Sequence, residues 1–279
     1  MFSVYDYKVD KIPLFSKTGT AVHKATKNDT EYIVKFYDKL HLQKDNEVSI
    51  HKKLNSIDPQ YSKYVVKLVD SFTWSCFTVI VFEKGDEDLL HYMNRPTICF
   101  TNRLKMCIKV IECIEFLHSQ GLIHTDIKLD NIVLFNGEPK VIDFETAFFL
   151  DEYVTYNRLV GTREYVDPNL FEQFLKYNKF SCSITTDTYS VATLIYESVT
   201  GLPFTLPSKY GRDSSLIDNR DKVEPRVLKI LDKVLIFDTT ERIDLSTLKK
   251  EMILVYKKSK KIQKNLYAQT ILKAKADSL

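Results

Sequence analysis

Glycine is scarce in this chain, with seven among 279 residues. A loop that needs several glycines, to reach positive φ or to bring backbone amides against an anion, has to manage with fewer. No uncharged run approaches the length that spans a bilayer, so no transmembrane helix and no membrane partner are expected. The stretch Met1–Asp6 has no basic region leading into an apolar run, and no secretory signal is expected. The five cysteines, Cys76, Cys99, Cys107, Cys113 and Cys182, form no C-x-x-C pair and have no histidine-rich neighbourhood. Reduced, mostly buried thiols of an intracellular protein are expected, in place of disulfides or a zinc site. Net charge is small as well, at +3, with Lys and Arg spread along the chain, so nucleic acid is not the default partner. Apolar residues are plentiful, at 44%, enough to build one large domain or two lobes.

The pattern divides the chain. Short β-prone runs at 21–25 and 32–37, joined by the turn-like Lys27-Asn28-Asp29, are followed by a helical segment over 45–54 and two strand-like runs at 64–69 and 77–82. An acidic turn begins after Gly85. Beyond it, Leu104, Ile108, Ile111, Ile114 and Leu117 recur near helical spacing over 101–118, with Gly121 as a stop. Ile132–Phe135, Asn136-Gly137 and Lys140–Ile142 read as a β-hairpin. Thr186-Asp187 opens an apolar helix through Leu194, Ile195 and Val199 that Gly201 and Pro203 close. A strand-rich start and a helix-rich remainder predict a two-lobed α+β fold. Residues 1–85 form the first lobe, 86–255 the second, and 256–279 a lysine-rich segment.

The chemistry concentrates in His124-Thr125-Asp126-Ile127-Lys128-Leu129-Asp130-Asn131, followed by Val141-Ile142-Asp143-Phe144-Glu145. An Asp can accept the proton of an attacking hydroxyl, and a Lys two residues later can balance charge on a transferred phosphoryl group. An Asn and a second Asp can hold a divalent cation against nucleotide phosphates. Taken alone, an Asp-Asn pair in a loop is also ordinary turn chemistry. Its neighbours decide the matter: H-x-D-x-K-x-x-N followed by Asp-Phe resembles the catalytic loop and metal-binding triplet of protein kinases.

That resemblance implies a two-lobed kinase fold using ATP with Mg²⁺, or Mn²⁺ in its place. It implies Asp126 and Lys128 as catalytic residues and Asn131 and Asp143 as metal ligands. Lys35, in the strand setting Ile33-Val34-Lys35, resembles the lysine that contacts the α- and β-phosphates, with Glu47 as its partner and Glu31 as a competitor. A lone strand lysine is otherwise a solvated edge residue. Val22 and Val133 are expected above and below the adenine, and are equally good core residues. Phe82, Glu83 and Gly85 match the segment between the lobes that meets the adenine edge. In Leu14–Val22 the family pattern expects three glycines, and only Gly19 is present. Leu14 and Gly19 remain nucleotide candidates, Lys17 or Thr18 could add side-chain contacts, and an ordinary hairpin without phosphate contact is the plain alternative. Gly161–Asn169 resembles the end of the kinase activation segment, which makes Thr162 a catalytic candidate. Its Asp-Pro-Asn departs from Ala-Pro-Glu, so a neutral hydrogen bond from Arg242 to Asn169 is expected in place of an ion pair. Asp187 resembles the aspartate that anchors the catalytic loop, or with Thr186 is simply a helix cap.

Two departures carry predictions. Thr125 stands where most protein kinases have an arginine that reads a phosphate on the activation segment, so activity is expected without phosphorylation of Thr155 or Tyr156. Glu145 replaces a glycine and adds negative charge near the phosphates unless it turns away or meets a cation. The acids Asp86, Glu87, Asp88, Glu145, Asp151, Glu152, Glu164 and Asp167 suggest either a solvated face or a cleft that attracts basic peptides. Three functions compete: an active serine/threonine kinase, a pseudokinase scaffold, and a small-molecule phosphotransferase. Retention of Lys35, Asp126, Lys128, Asn131 and Asp143 speaks against the scaffold. Lys128, Asp187 and the 161–168 segment speak against the small-molecule enzyme.

Small size, missing glycines and the pairing of His-Thr-Asp with Asp-Phe-Glu resemble the serine/threonine kinases encoded by baculoviruses, in particular a granulovirus form. The resemblance implies phosphorylation of a small arginine-rich protein that condenses viral DNA, within the host nucleus or cytoplasm or in the virion. Lys257, Lys258, Lys260, Lys261 and Lys264 read as a solvated helical face, or as a weak contact to nucleic acid or capsid.

Overall fold

The structure, a computed structural model, describes residues 1–38, 45–150, 160–179, 181–205, 217 and 219–276, without the side chains of 171 and 271–276. Thr155, Tyr156, Asp151 and Glu152 lie outside the described residues. Strands β1 (Phe2–Val4), β2 (Tyr7–Val9), β3 (Phe15–Lys17), β4 (Thr20–Lys27) and β5 (Thr30–Asp38) open the chain. Helix α1 (Asn46–Ile57) and strands β6 (Leu68–Trp74) and β7 (Phe77–Glu83) follow. These strands make one antiparallel sheet in the order β1-β2-β4-β5-β7-β6, with β3 added alongside β4. The second lobe contains β8 (Glu87–Asp88), α2 (Leu89–Met93), α3 (Phe100–Ser119), β9 (Leu122–Ile123), β10 (Ile132–Phe135), β11 (Glu138–Val141) and β12 (Phe148–Phe149). Helices α4 (Pro168–Tyr177), α5 (Ile184–Thr200), α6 (Pro225–Leu231) and α7 (Leu245–Ala276) complete it. This is the expected two-lobed α+β fold. No helix among the described residues is long and apolar enough to cross a membrane.

Alternation along β5 sorts its two faces. Val34 and Phe36 enter a cluster with Val4, Tyr7, Val9, Ala25, Val79 and Val81 on the outer face of the sheet. The period of two turns Ile33, Lys35 and Tyr37 to the opposite face. Register places Val22 across from Lys35 on one side and Ile80 on the other, with Ile33 opposite Phe82. The cleft wall is thus set by strand pairing alone.

The second lobe is built on α3 and α5. Leu104, Ile111, Ile114 and Leu117 are fully buried in a core shared with Tyr189, Leu194, Ile195 and Tyr196 of α5. Gly201 caps α5 at φ +70°, as its position predicts. Asn136 and Gly137, at φ +52° and +76°, make the tight hairpin turn between β10 and β11. Of the cysteines, all free, Cys107, Cys113 and Cys182 are buried, Cys99 is half-buried and Cys76 exposed.

Two expectations are corrected. The strand at 64–69 begins only at Leu68, because Val65 and Val66 are drawn to the second lobe, where Val66 N donates to Val141 O at 3.0 Å and Val141 N to Tyr64 O at 2.9 Å. Burial of two valines there outweighs their β propensity. Helix α5 starts two residues before Thr186: Ser183 is the N-cap and Thr186 completes a capping box with it. The lysine-rich segment continues α7, which runs through 256, and every described side chain from Lys260 to Thr270 is exposed.

Between the lobes, His51 of α1 is fully buried and neither ring nitrogen has a partner among the described residues. Its ring packs against Phe82 at 5.2 Å, Phe144 at 5.3 Å and Tyr61 at 6.1 Å. Burial, and then the charge of Lys35, pushes the imidazole down to about 3. The unfolded chain therefore takes up a proton below about pH 6.5 that the folded chain refuses, and stability falls with pH from there. His51→Leu removes this cost: relative to the parent protein it should gain about 2 kcal/mol on going from pH 7 to pH 5. Urea melts at the two pH values check this, and an unchanged difference contradicts it.

Candidate active site

Sheet and second lobe enclose a cleft of about 710 Å³. Leu14, Val22, Phe82, Glu83, Gly85 and Val133 line it together with Lys35, Glu47, Asp126, Lys128, Asn131, Asp143 and Thr162. Of the candidate residues, Thr18 is not among those lining the cleft, and neither is its neighbour Gly19. The glycine sits in the β3–β4 turn at φ +79°, and its carbonyl accepts from Asp38 N at 2.9 Å. Gly85 is required by close approach: a Cβ there would lie 2.3 Å from Val133 Cγ1 and 2.8 Å from Leu134 O. Glu83 turns its side chain outward, accepting from Lys67 N at 2.8 Å and Lys140 Nζ at 2.6 Å.

Lys35 Nζ lies 3.0 Å from Glu47 Oε2 and 2.7 Å from Asp143 Oδ1. Glu31 is not the partner; it pairs with Lys84 at 3.2 Å. Burial alone would push the Lys35 ammonium down, but Glu47, Asp143 and Glu145 outweigh it and raise it. Burial likewise opposes the Asp143 carboxylate, and Lys35 prevails in holding it below the usual range. Glu145, unresolved by sequence, meets two cations: Lys17 Nζ at 2.9 Å and Lys35 Nζ at 3.1 Å. The Tyr37 hydroxyl lies 2.9 Å from Glu145 Oε1 and 2.8 Å from Glu47 Oε2. Asn46 Nδ2 clamps the backbone after Asp143, with Phe144 O, Glu145 O and Ala147 O at 3.2, 2.9 and 2.9 Å.

The catalytic loop is anchored from below. Asp187, fully buried, accepts from His124 N at 2.9 Å and Thr125 N at 3.0 Å. That anchoring holds Thr125 at φ +72°, a left-handed conformation that costs a β-branched residue of order 1–3 kcal/mol. The Thr125 hydroxyl is spent locally, 2.7 Å from Thr146 Oγ1. His124 Nδ1 accepts from Asp126 N at 3.2 Å, which leaves Nε2–H to donate to Ile142 O at 3.0 Å. Asp126 is surrounded by donors: Thr162 Oγ1 at 2.8 Å, Lys128 Nζ at 2.8 Å and Asn131 Nδ2 at 3.1 Å. Lys128 also reaches Thr162 Oγ1 at 2.7 Å, so the three predicted catalytic residues form one cluster.

The donor set fits a divalent cation bound with a nucleotide. Asn131 spends its Nδ2 on Asp126, leaving Oδ1 without a hydrogen bond among the described residues, and Asp143 spends only Oδ1 on Lys35. Asn131 and Asp143 would hold the cation through these hard oxygens. When bound, such a cation neutralises charge on the nucleotide phosphates. The protein's own groups can accept a hydroxyl proton at Asp126 and place positive charge at Lys35 and Lys128.

The neutral replacement expected at Asn169 is not what forms. Arg242 pairs with Asp167 instead, Nη2 donating to Oδ1 at 2.9 Å and Nη1 to Oδ2, with both side chains buried. Two residues of shift along the segment keep a bidentate ion pair, while Asn169 Nδ2 lies 3.5 Å from Phe237 O.

Two lobes, a Lys–Glu pair over a cleft, an aspartate held by three donors and an Asn–Asp pair lining the same cleft are the arrangement of a protein kinase. A family model of the protein kinase domain matches residues 15–254, and the chain belongs to that family. It is 26% identical over 277 residues to serine/threonine-protein kinase PKH3 of Saccharomyces cerevisiae, covering 85% of this chain and 30% of that protein. It is 27% identical over 256 residues to human 3-phosphoinositide-dependent protein kinase 1, covering 85% and 44%. Probable serine/threonine-protein kinase 2 of Plasmodium falciparum is 29% identical over 178 residues, covering 61% and 33%. The chain spans less than half the length of each of these relatives.

Proposed function

We propose that the chain is a serine/threonine protein kinase that transfers the ATP γ-phosphoryl group to hydroxyls in basic, arginine-rich protein segments. The cluster of Asp126, Lys128 and Thr162 carries the kinase reading: a scaffold has no chemical need for a carboxylate held by three donors. The serine/threonine names of the relatives agree with it.

For the substrate, the acids that matter are only in part those singled out by sequence. Asp167 is consumed by Arg242, Glu145 faces inward, Glu87 pairs with Arg95 at 2.7 Å, and Asp88 caps α2 through His91 N. Asp130 and Glu164 remain exposed, and Glu197 of α5, half-buried, stands with them. Burial, then the charges of Asp130 and Glu164, lift the Glu197 carboxyl above its ordinary range, against the hydrogen bond from Tyr165. Asp130 and Glu164 both repel Glu197 in this way, and a basic peptide would relieve that repulsion. The specificity constant for a serine in an arginine-rich peptide should exceed that in an acidic peptide by about a hundredfold at low salt, and the ratio should shrink at moderate salt. Equal constants remove the basic-substrate reading.

Regulation follows from Thr125, whose buried hydroxyl is committed to Thr146 and whose side chain cannot pair with a phosphate. The double variant Thr155→Ala, Tyr156→Phe should keep turnover within about threefold of the parent; a hundredfold loss contradicts this. The likeness to baculovirus kinases extends the proposal to a viral DNA-condensing substrate, whose grip on DNA phosphorylation would loosen by offsetting positive charge. The exposed lysines of α7 offer such a complex a weak contact to nucleic acid or capsid.

A further inference from the structure

The cleft contains an anion site already filled from within. Glu145 presents one carboxylate oxygen to Lys17 at 2.9 Å and the other to Lys35 at 3.1 Å, and the Tyr37 hydroxyl lies 2.9 Å from the latter. Two ammonium groups and a hydroxyl converging on one carboxylate are the donor set that recognises a phosphate. Glu145 is buried and Lys17 about half exposed, so the lysine is the member free to swing.

The loop above the cleft has reason to need such a lysine. Its single glycine, Gly19, does not line the cleft, and its carbonyl is tied to Asp38 N. Backbone amides freed by glycine are therefore not what this loop brings to a phosphate. Lys17, at the end of β3, does line the cleft, on the same side as Lys35 and Asp143.

We propose that Lys17 is a phosphate-binding residue for the nucleoside triphosphate, and that Glu145 is its internal competitor. Without nucleotide, Glu145 holds Lys17 and Lys35 together and neutralises them. The terminal phosphates of the nucleotide take the place of its carboxylate, and the Lys17 ammonium moves from Glu145 to them. This device does with one side chain what a glycine-rich loop does with backbone amides. It also makes affinity depend on the phosphate chain more than on the base. The inference rests on reading the cleft as a nucleotide site.

Equilibrium binding of magnesium-ATP and of adenosine, without turnover, tests it in the full chain. Lys17→Met should weaken ATP at least about tenfold and leave adenosine within about twofold, which also shows that the variant is folded. Glu145→Gln should tighten ATP about threefold or more and leave adenosine unchanged. Unchanged ATP affinity in Lys17→Met overturns the proposal, as does an equal loss for both ligands, which marks a purely structural role. Failure of the parent protein to bind either ligand overturns the nucleotide-site reading itself, a result distinct from both.

Discussion

Replacing Asp126 with Asn lowers kcat by about 10²–10⁴-fold, the range that loss of a general base produces, and leaves the affinity for ATP within about threefold. The geometry makes this a clean substitution. Asp126 accepts from Thr162, Lys128 and Asn131. An Asn of the same shape can turn its amide nitrogen toward Thr162, whose hydroxyl also accepts, and keep its oxygen for Lys128 and Asn131. What it cannot do is take a proton from an attacking hydroxyl. Steady-state kinetics with a serine peptide, alongside nucleotide binding, separates the two effects. A matching fall in kcat and ATP affinity would mean that Asp126 organises the cleft without serving as its base.

The largest loss of stability should come from Arg242. Its guanidinium is bidentate to Asp167, donates to Ile236 O through Nε at 3.0 Å and Nη2 at 2.7 Å, and lies over the Tyr189 ring at 5.0 Å. Arg242→Leu strands the Asp167 carboxylate in a buried site, a change that costs about 3–5 kcal/mol. For a domain of this size that lowers Tm by about 10 °C. Asp167→Asn keeps a cap for Asn169 N and leaves Arg242 its bonds to Ile236 O, so it should cost less. The double variant should lose less than the two single losses summed, because neither partner is then left charged and alone. Additive losses would show that the pair is not coupled and that the segment is held by packing.

Much of this was legible in the sequence, for physical reasons that differ by element. The Lys35 strand, the 101–118 helix and the Asn136-Gly137 hairpin follow from local periodicity and turn chemistry, which act over a few residues. The catalytic cluster follows from motif spacing, because Asp126, Lys128 and Asn131 share one short loop. The hairpin β1–β2 was not foreseen: three-residue strands are too short to show a period, and only the sheet they cover gives them a reason to form. Arg242 had two partners in reach of one segment, and nothing local says that Asp167, not Asn169, faces it. Glu197 lies inside an apolar helix, and its place beside Asp130 and Glu164 depends on how α5 packs under the catalytic loop. The fate of Glu145 likewise depends on sheet register, which brings Lys17 and Lys35 from different strands to one carboxylate.

The central claim is that this cleft performs phosphoryl transfer to a basic protein chain. It is tested most directly by incubating the protein with ATP labelled at the γ-phosphate and an arginine-rich serine peptide, followed by phosphoamino-acid analysis. Label on serine is expected, incorporated at least about a hundredfold more slowly with Asp126→Asn. Label incorporated by the variant at the parent's rate, or a parent protein that binds ATP and transfers nothing, would contradict it.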